Sequence, residues 1–370
     1  MNDSSVPFQN FRAAYDELKP ELDEAYHRFM ESGWYVLGQE LAAFEVEYAA
    51  FCESPHCVGV ANGLEALHLA LRALNVSAGD EVIVPSNTYI ATWLGVSQTG
   101  GIPVPVEPDP VTYNLDPARV EAAITPNTKV IMAVNLYGQP CDYDALLAIA
   151  RKHGLKLAID NAQAHGARYK GRRVGGIADI ECHSFYPSKN LGAYGEAGAI
   201  TTADTALADQ IRLLRNYGSK VRYHNEIVGY NSRLDELQAA FLRVKLRHLD
   251  AWNARRTAIA ERYLSQLSTL NSQLILPAVP EWASPVWHLF VIRHPRRDQL
   301  QQHLTGQGIQ TIIHYPIPPH LSGAYASFSG ARLPVAEQLA GEVLSLPMGP
   351  HMAAESVATV TRALADFSAD

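Results

Sequence analysis

Apolar positions recur at spacings of three and four in two early stretches, within SSVPFQNFRAAYDELKPELDEAYHRFMES and LGQELAAFEVEYAAFCES. That period predicts an amphipathic helix in each, the first after a polar start. The pattern then changes to short apolar runs bounded by turn residues. CVGVAN, DEVIVPS, IPVPVEP, TKVIMAVNLYG, LKLAIDNAQ, ADIECHSFY and EAGAITT read as strands. Between them GLEALHLALRALNV, TWLGVSQTG, DPARVEAAI and DYDALLAIARKHG read as helices. Glu65 sits in a first turn, where the dipole favours a negative charge, and Asp116-Pro117 has the form of a cap followed by a first-position proline. Gly100-Gly101 and Gly154 are helix stops. This rhythm predicts an α/β fold whose mainly parallel sheet is covered by helices on both faces.

From Leu234 to about Leu267 the pattern turns to long helices, which suggests a connection into a second domain. After it, HLFVIRHP, RRDQLQQHLTGQG and IQTIIHYP alternate more sparsely as strand, helix and strand. The expected division is a large domain over 1–250 and a smaller α/β domain over 251–370. In open α/β sheets, ligands bind outside the carboxyl ends of the strands. That rule places Asn62, Tyr89, Asp160 and Ser184 on one rim.

Composition narrows the function. The chain has 370 residues, 47% of them hydrophobic and 18% charged, and its net charge is −8. A large core is expected, and the negative charge argues against nucleic acid as a main partner. No apolar run approaches a membrane span, and MNDSSVPFQNF lacks the basic end and apolar centre of a signal peptide. Cys52, Cys57, Cys141 and Cys182 form no metal-type cluster, so no metal is expected. They read as reduced, mostly buried thiols of a cytoplasmic protein.

The stretch SFYPSKNLGAYGEAGAITT places Lys189 between an aromatic run and a glycine-rich loop. It is either a solvated loop lysine or one whose ammonium is destabilised by burial and made nucleophilic. Asp160, ending LKLAID, is either a turn former or a carboxylate aimed at a cationic ligand group. A lysine and an aspartate on one strand rim suit pyridoxal phosphate: the lysine forms a Schiff base with the aldehyde, and the aspartate keeps the pyridine nitrogen protonated. Asn62-Gly63 lies between a strand and a helix start, where free N–H groups attract anions, and Ser184 adds a hydroxyl. Tyr89 is a core aromatic or a ring that stacks on a ligand.

Seven motifs then carry a resemblance: GWYVLGQELAAFE, ANGLEALHLAL, PSNTYIAT, IDNAQAHGA, SFYPSKNLGAYGEAGAI, GYNSRLDELQAA, and HYPIPPH with the later LSLPMGP. Together they cover nearly the whole chain. On them the chain resembles the DegT/DnrJ/EryC1/StrS sugar aminotransferases, pyridoxal phosphate enzymes of the aspartate-aminotransferase fold (fold type I). ANGLEAL, SFYPSKNLGA and HYPIPPH look most like the enzymes that aminate C3 of dTDP-3-keto-6-deoxyhexoses.

The resemblance implies roles. Lys189 matches the Schiff-base lysine and Asp160 the partner of the pyridine nitrogen. Gln163 matches the contact to the cofactor's 3-hydroxyl, Ser184 a phosphate ligand, Tyr89 the stacked aromatic and Gly63 the anion turn. Asn231 matches an asparagine that reaches the cofactor phosphate of a neighbouring subunit, which implies a homodimer with shared sites. Many members carry Thr or Ser where this chain has Leu64, so phosphate binding here would rest on backbone N–H groups, Ser184 and Asn231. His314, Tyr315 and His320 are implied to face a nucleotide-sugar, and Lys220 its diphosphate, with Tyr223 and His224 on the same loop. Tyr186 and His183 are candidates for the sugar, although His183, inside a strand run, equally suits a structural role. L-glutamate is the implied amino donor.

Other readings separate on residues. Related sugar dehydratases have a histidine where this chain has Lys189. A non-catalytic regulator would be expected to lose Lys189 or Asp160. A dinucleotide enzyme would need G-x-G-x-x-G where the chain has VANGLEAL. Amination at C4 is the alternative that the sequence separates least.

Overall fold

The computed structural model describes residues 5–270, 273–328 and 330–368. The apolar runs assemble into one seven-stranded sheet: β1 (His56–Val60), β2 (Glu81–Pro85), β3 (Ile102–Val106), β4 (Thr128–Val134), β5 (Lys156–Asp160), β6 (Ile180–Ser184) and β7 (Gly198–Thr202). Their order is β1-β7-β6-β5-β4-β2-β3. Pairing is parallel from β3 through β2, β4 and β5 to β6. β7 is antiparallel to both its neighbours, so it alone reverses direction.

Helices cover both faces, which explains why the strands read as continuous apolar runs. They are α1 (Phe11–Ser32), α2 (Gln39–Phe51), α3 (Gly63–Ala73), α4 (Ile90–Gln98), α5 (Pro117–Val120), α6 (Tyr143–His153) and α7 (Thr205–Leu214). Leu67, Leu71 and Trp93 of α3 and α4 pack with Val82, Val84 and Met132 on one face. Tyr143, Leu146 and Ala150 of α6 pack with Ile83, Ile131 and Ile159 on the other. The stretch predicted as a helix from DPARVEAAI is helical only over α5 and one following 3-10 turn.

Next comes α8 (Glu236–Leu267), a single continuous helix that crosses position 250. Its first half packs on α1 and α2. Its second half enters another core through Ile259, Tyr263 and Leu267. That core adds β8 (Phe290–Arg293), α9 (Arg297–Gly306), β9 (Val343–Leu346) and α11 (Ala354–Ser368), with β8 and β9 antiparallel. The intervening α10 (Pro334–Glu342) packs instead through Leu339 with Val134, Leu136 and Leu289. Val6 belongs to this second core and bridges Ile309, so the amino-terminal segment reaches across the division drawn at 250.

IQTIIHYP forms no extended strand. Ile309 and Ile312 make isolated bridges only, and Pro316, Pro318 and Pro319 follow with no N–H to continue a ladder. All four cysteines are buried and none is in a disulfide. Among the described residues no helix is long and apolar enough to cross a membrane.

Candidate active site

The carboxyl ends of β1, β2, β4, β5 and β6 converge on a cavity of about 660 Å3. Asp160 closes β5 at the middle of the sheet and is 7% exposed. Its carboxylate accepts from the Thr92 hydroxyl at 3.0 Å and from the Ala162 N–H at 3.0 Å. Thr92 donates there, so the Thr88 hydroxyl, 2.9 Å away, donates to Thr92. Burial raises the Asp160 carboxyl above its ordinary range; those two hydrogen bonds and the charge of Lys189 oppose the shift. Its charge is therefore only partly compensated.

Lys189 lies on the loop after β6, in the cavity wall. Phe185 is fully buried and roots this loop in the core. The loop closes on itself through Lys189 N–H to Tyr186 O at 2.8 Å and Ala193 N–H to Phe185 O at 2.7 Å. Gly192 is required for this closure, since a Cβ there would meet Pro187 O at 2.4 Å. Asn190 anchors the loop to α8 and the second domain, donating to Asn253 Oδ1 and Val286 O at 2.9 Å each. Burial pushes the Lys189 ammonium down to about 8, against the opposing attraction of Asp160. This lysine is substantially neutral near pH 8, unlike a solvated loop lysine.

The junction of β1 and α3 lies beside Ser184. Asn62 caps α3 by accepting the Glu65 N–H at 2.9 Å. Other first-turn N–H groups have no acceptor within the helix and favour an anion. A Cβ on Gly63 would sit 2.4 Å from Ser184 Cβ, so this approach admits only glycine. Gly63→Ala is expected to weaken cofactor binding by about tenfold or more, because relieving the overlap must push the start of α3 away from Ser184. Titration of cofactor-free protein with pyridoxal phosphate measures it.

The opposite wall combines the loops after β2, β4 and β5 with the segments before β8 and before α10. Gln163 Oε1 accepts Tyr137 N–H at 2.6 Å, and Nε2 donates to Tyr315 Oη at 3.0 Å. The amide is thus held with one N–H remaining. Tyr89 is 54% exposed, and its ring lies 5.2 Å from that of Tyr315. His314 Nδ1 pairs with Ser345 Oγ at 2.8 Å, and burial holds its imidazole near 4, so it faces the cavity neutral.

Of the residues singled out in the sequence, Asn62, Gly63, Leu64, Tyr89, Asp160, Gln163, His183, Ser184, Tyr186, Lys189, His314 and Tyr315 all line this cavity. His183 borders the cavity, but its ring nitrogens pair inward with Tyr48 Oη at 2.9 Å and Thr201 Oγ1 at 2.8 Å, and burial lowers it to about 3. It holds the sheet to α2, the structural one of its two expected roles. Other residues lie outside the cavity. His320 corrects the expectation of a substrate contact: it is fully buried and pairs with Glu337 of α10 at 3.2 Å. Lys220 and Tyr223 lie on an exposed turn, Lys220 3.8 Å from Glu226 and Tyr223 83% exposed, and neither lines the cavity of its own chain. Asn231 is exposed and likewise outside it.

Thr88, Glu196 and His288 line the cavity without having been singled out. His288 comes from the segment before β8 and pairs with Asn190 Oδ1 at 3.2 Å.

The residues present fit pyridoxal phosphate. A buried carboxylate lacks a full counter-charge, a destabilised ammonium shares its cavity, and an anion turn and an exposed aromatic stand beside them. On this α/β frame they define an aminotransferase of fold type I. The chain belongs to the DegT/DnrJ/EryC1/StrS aminotransferase family, whose profile matches residues 16–365.

Relatives agree along nearly their whole length. The chain is 58% identical to the erythromycin biosynthesis sensory transduction protein EryC1 of Saccharopolyspora erythraea, over 95% of this chain and 96% of that protein. It is 54% identical to a dTDP-3-amino-3,4,6-trideoxy-alpha-D-glucose transaminase of Streptomyces venezuelae, over 94% and 92%. It is 50% identical to a dTDP-3-amino-3,6-dideoxy-alpha-D-galactopyranose transaminase of Aneurinibacillus thermoaerophilus, over 97% and 98%. The crystal structure of DesV from S. venezuelae superposes with a TM-score of 0.96 at 52% identity, covering 99% of each chain.

Proposed function

We propose that this chain transfers an amino group from L-glutamate to C3 of a dTDP-3-keto-6-deoxyhexose, giving the dTDP-3-amino-3,6-dideoxyhexose. The observation that carries this reading is Lys189, with its ammonium destabilised, in one cavity with the buried carboxylate of Asp160. Bound pyridoxal phosphate supplies an aldehyde and an electron-accepting ring. Around it the chain's own groups act. Asp160 offers a fixed negative charge in a dry site, where it holds a proton on a cationic ring nitrogen. Lys189 Nζ, once free, takes the proton from the donor's α-carbon and returns one to the sugar's C3. The α3 turn and Ser184 would hold the phosphate, and the remaining Gln163 N–H would meet the ring hydroxyl. Tyr89 would cover one ring face, while Tyr186, His314 and Tyr315 would meet the sugar.

Support for C3 comes from the two transaminases named above, whose names both place the amino group at C3 while the sugars differ at C4. A non-catalytic regulatory role is disfavoured because Lys189 and Asp160 are both in place. A homodimer fits the exposure of Asn231 and the run Trp34, Tyr35 and Val36, each about half exposed or more. In that assembly Asn231 reaches the phosphate in the partner's site, and Lys220 and Tyr223 meet the partner's nucleotide diphosphate.

The test is a single half-reaction. Holoenzyme mixed with L-glutamate and no sugar is expected to release one equivalent of 2-oxoglutarate per chain; release of none would overturn the reading. The pH dependence of loading is also fixed. A neutral amine attacks the aldehyde, and the neutral fraction of Lys189 grows as pH rises through about 8. Reconstitution of cofactor-free protein, followed by visible absorbance, is expected to accelerate from pH 6 to 9 with an inflection near 8. An ordinary lysine would inflect near about 10.4.

A further inference from the structure

A second cavity of about 420 Å3 adjoins the first, and the two share Ser188 and Lys189 in their walls. Lys245 and Arg256 of α8 line it, and each is only 5% exposed. Lys245 Nζ donates to Gly192 O at 2.6 Å and lies 3.5 Å from the centre of the Tyr194 ring. Arg256 donates to the carbonyls of Trp287 and His288 at 3.2 and 3.4 Å. These acceptors carry only partial charge, and among the described residues neither cation forms an ion pair. The carboxylate of Glu17 on α1 is already matched by Arg255, His351 and the Trp252 N–H.

A buried cation without a counter-charge is costly. Burial alone accounts for the fall of Lys245 to about 7 and of Arg256 to about 10. Two such cations on one small cavity make it a place of positive potential. Its other surfaces are largely apolar: Phe8, Phe11, Trp252, Met348 and Met352 contribute to the wall. A water occupies about 30 Å3 of liquid, so the space is many times too large for a single inorganic ion. On α8, Trp252 follows Lys245 by two helical turns and therefore lies on the same face.

We propose that this cavity is a second ligand site, for a small organic carboxylate whose charged head meets Lys245 Nζ and whose apolar body packs on Trp252, Phe8 and Phe11. Arg256 adds positive potential at the far end. The assignment does not depend on the transamination proposed above.

The probe is 4-bromobenzoate, applied to the full-length holoenzyme. Anomalous diffraction from soaked crystals is expected to place bromine beside Trp252, with the carboxylate at Lys245. In solution, calorimetric affinity is expected to fall at least tenfold in Lys245→Met and to be unchanged in Lys152→Met, an exposed control on α6. Ala14→Trp, which places an indole into the cavity from α1 and keeps both cations, leaves the test decisive if Lys245→Met does not fold; it too is expected to abolish binding. Bromine found only elsewhere, equal affinity in the variants, or a cavity filled by side chains of a second copy would each overturn the proposal.

Discussion

Lys189→Ala is expected to lower amino transfer by about 10⁴-fold or more, because one side chain supplies both the covalent anchor and the proton carrier. The variant keeps Asp160, the α3 turn and Ser184, so it should still retain cofactor, but without the visible band of the lysine-linked form. Stability distinguishes this from unfolding. The ammonium of Lys189 falls from 10.5 to about 8 on folding. The unfolded chain therefore binds more protons between those values, and wild-type cofactor-free stability gains a rising component across that window. Below pH 8 the buried ammonium costs stability, and alanine removes the cost. The variant is expected to melt no lower than wild type at pH 7 and to lack that rise. Turnover near the native rate would end the assignment.

The second large effect is expected at Asp160. Asp160→Asn keeps the shape and can still accept from Thr92, but it removes the negative charge. Breaking a buried ion pair by deleting one partner costs about 3–5 kcal/mol, so turnover should fall by about 10³-fold. The cofactor-free protein should respond oppositely. Burial raises the Asp160 carboxyl above 3.8 in the folded state. Its charge therefore detracts from stability at pH values above that folded value, and neutral asparagine relieves this. A variant that is slow yet at least as heat-stable without cofactor marks a functional residue; one that is merely unstable marks a structural one.

What the sequence disclosed follows from how each feature is encoded. Asp160 was legible because β5 is a short buried run ending at a charge, and such ends form the ligand rim. Lys189 was legible because its loop needs Gly192 and a buried Phe185, both visible in the local spelling. His288 was not, because it enters from the second domain and only the tertiary contact to Asn190 brings it to the cavity. Thr92 went unnoticed for a similar reason: nothing local to α4 shows that its hydroxyl meets β5. His320 was misplaced because a residue beside a site in sequence can point away from it, and it folds under α10 to meet Glu337. His183 borders the cavity, yet successive residues on β6 face opposite sides of the sheet, and its ring nitrogens are taken by Tyr48 and Thr201. The strand expected at IQTIIHYP is reduced to isolated bridges, Ile309 to Val6 and Ile312 to Ser345, and the prolines that follow cannot extend it.

The most direct test is the regiochemistry of the product. Holoenzyme, L-glutamate and dTDP-3-keto-6-deoxyglucose or its galacto isomer would be incubated and the isolated sugar nucleotide examined by NMR. The account predicts an amino group on C3 and consumption of one L-glutamate per product. No amino sugar from either 3-keto substrate, with efficient amination of dTDP-4-keto-6-deoxyglucose at C4, would contradict it.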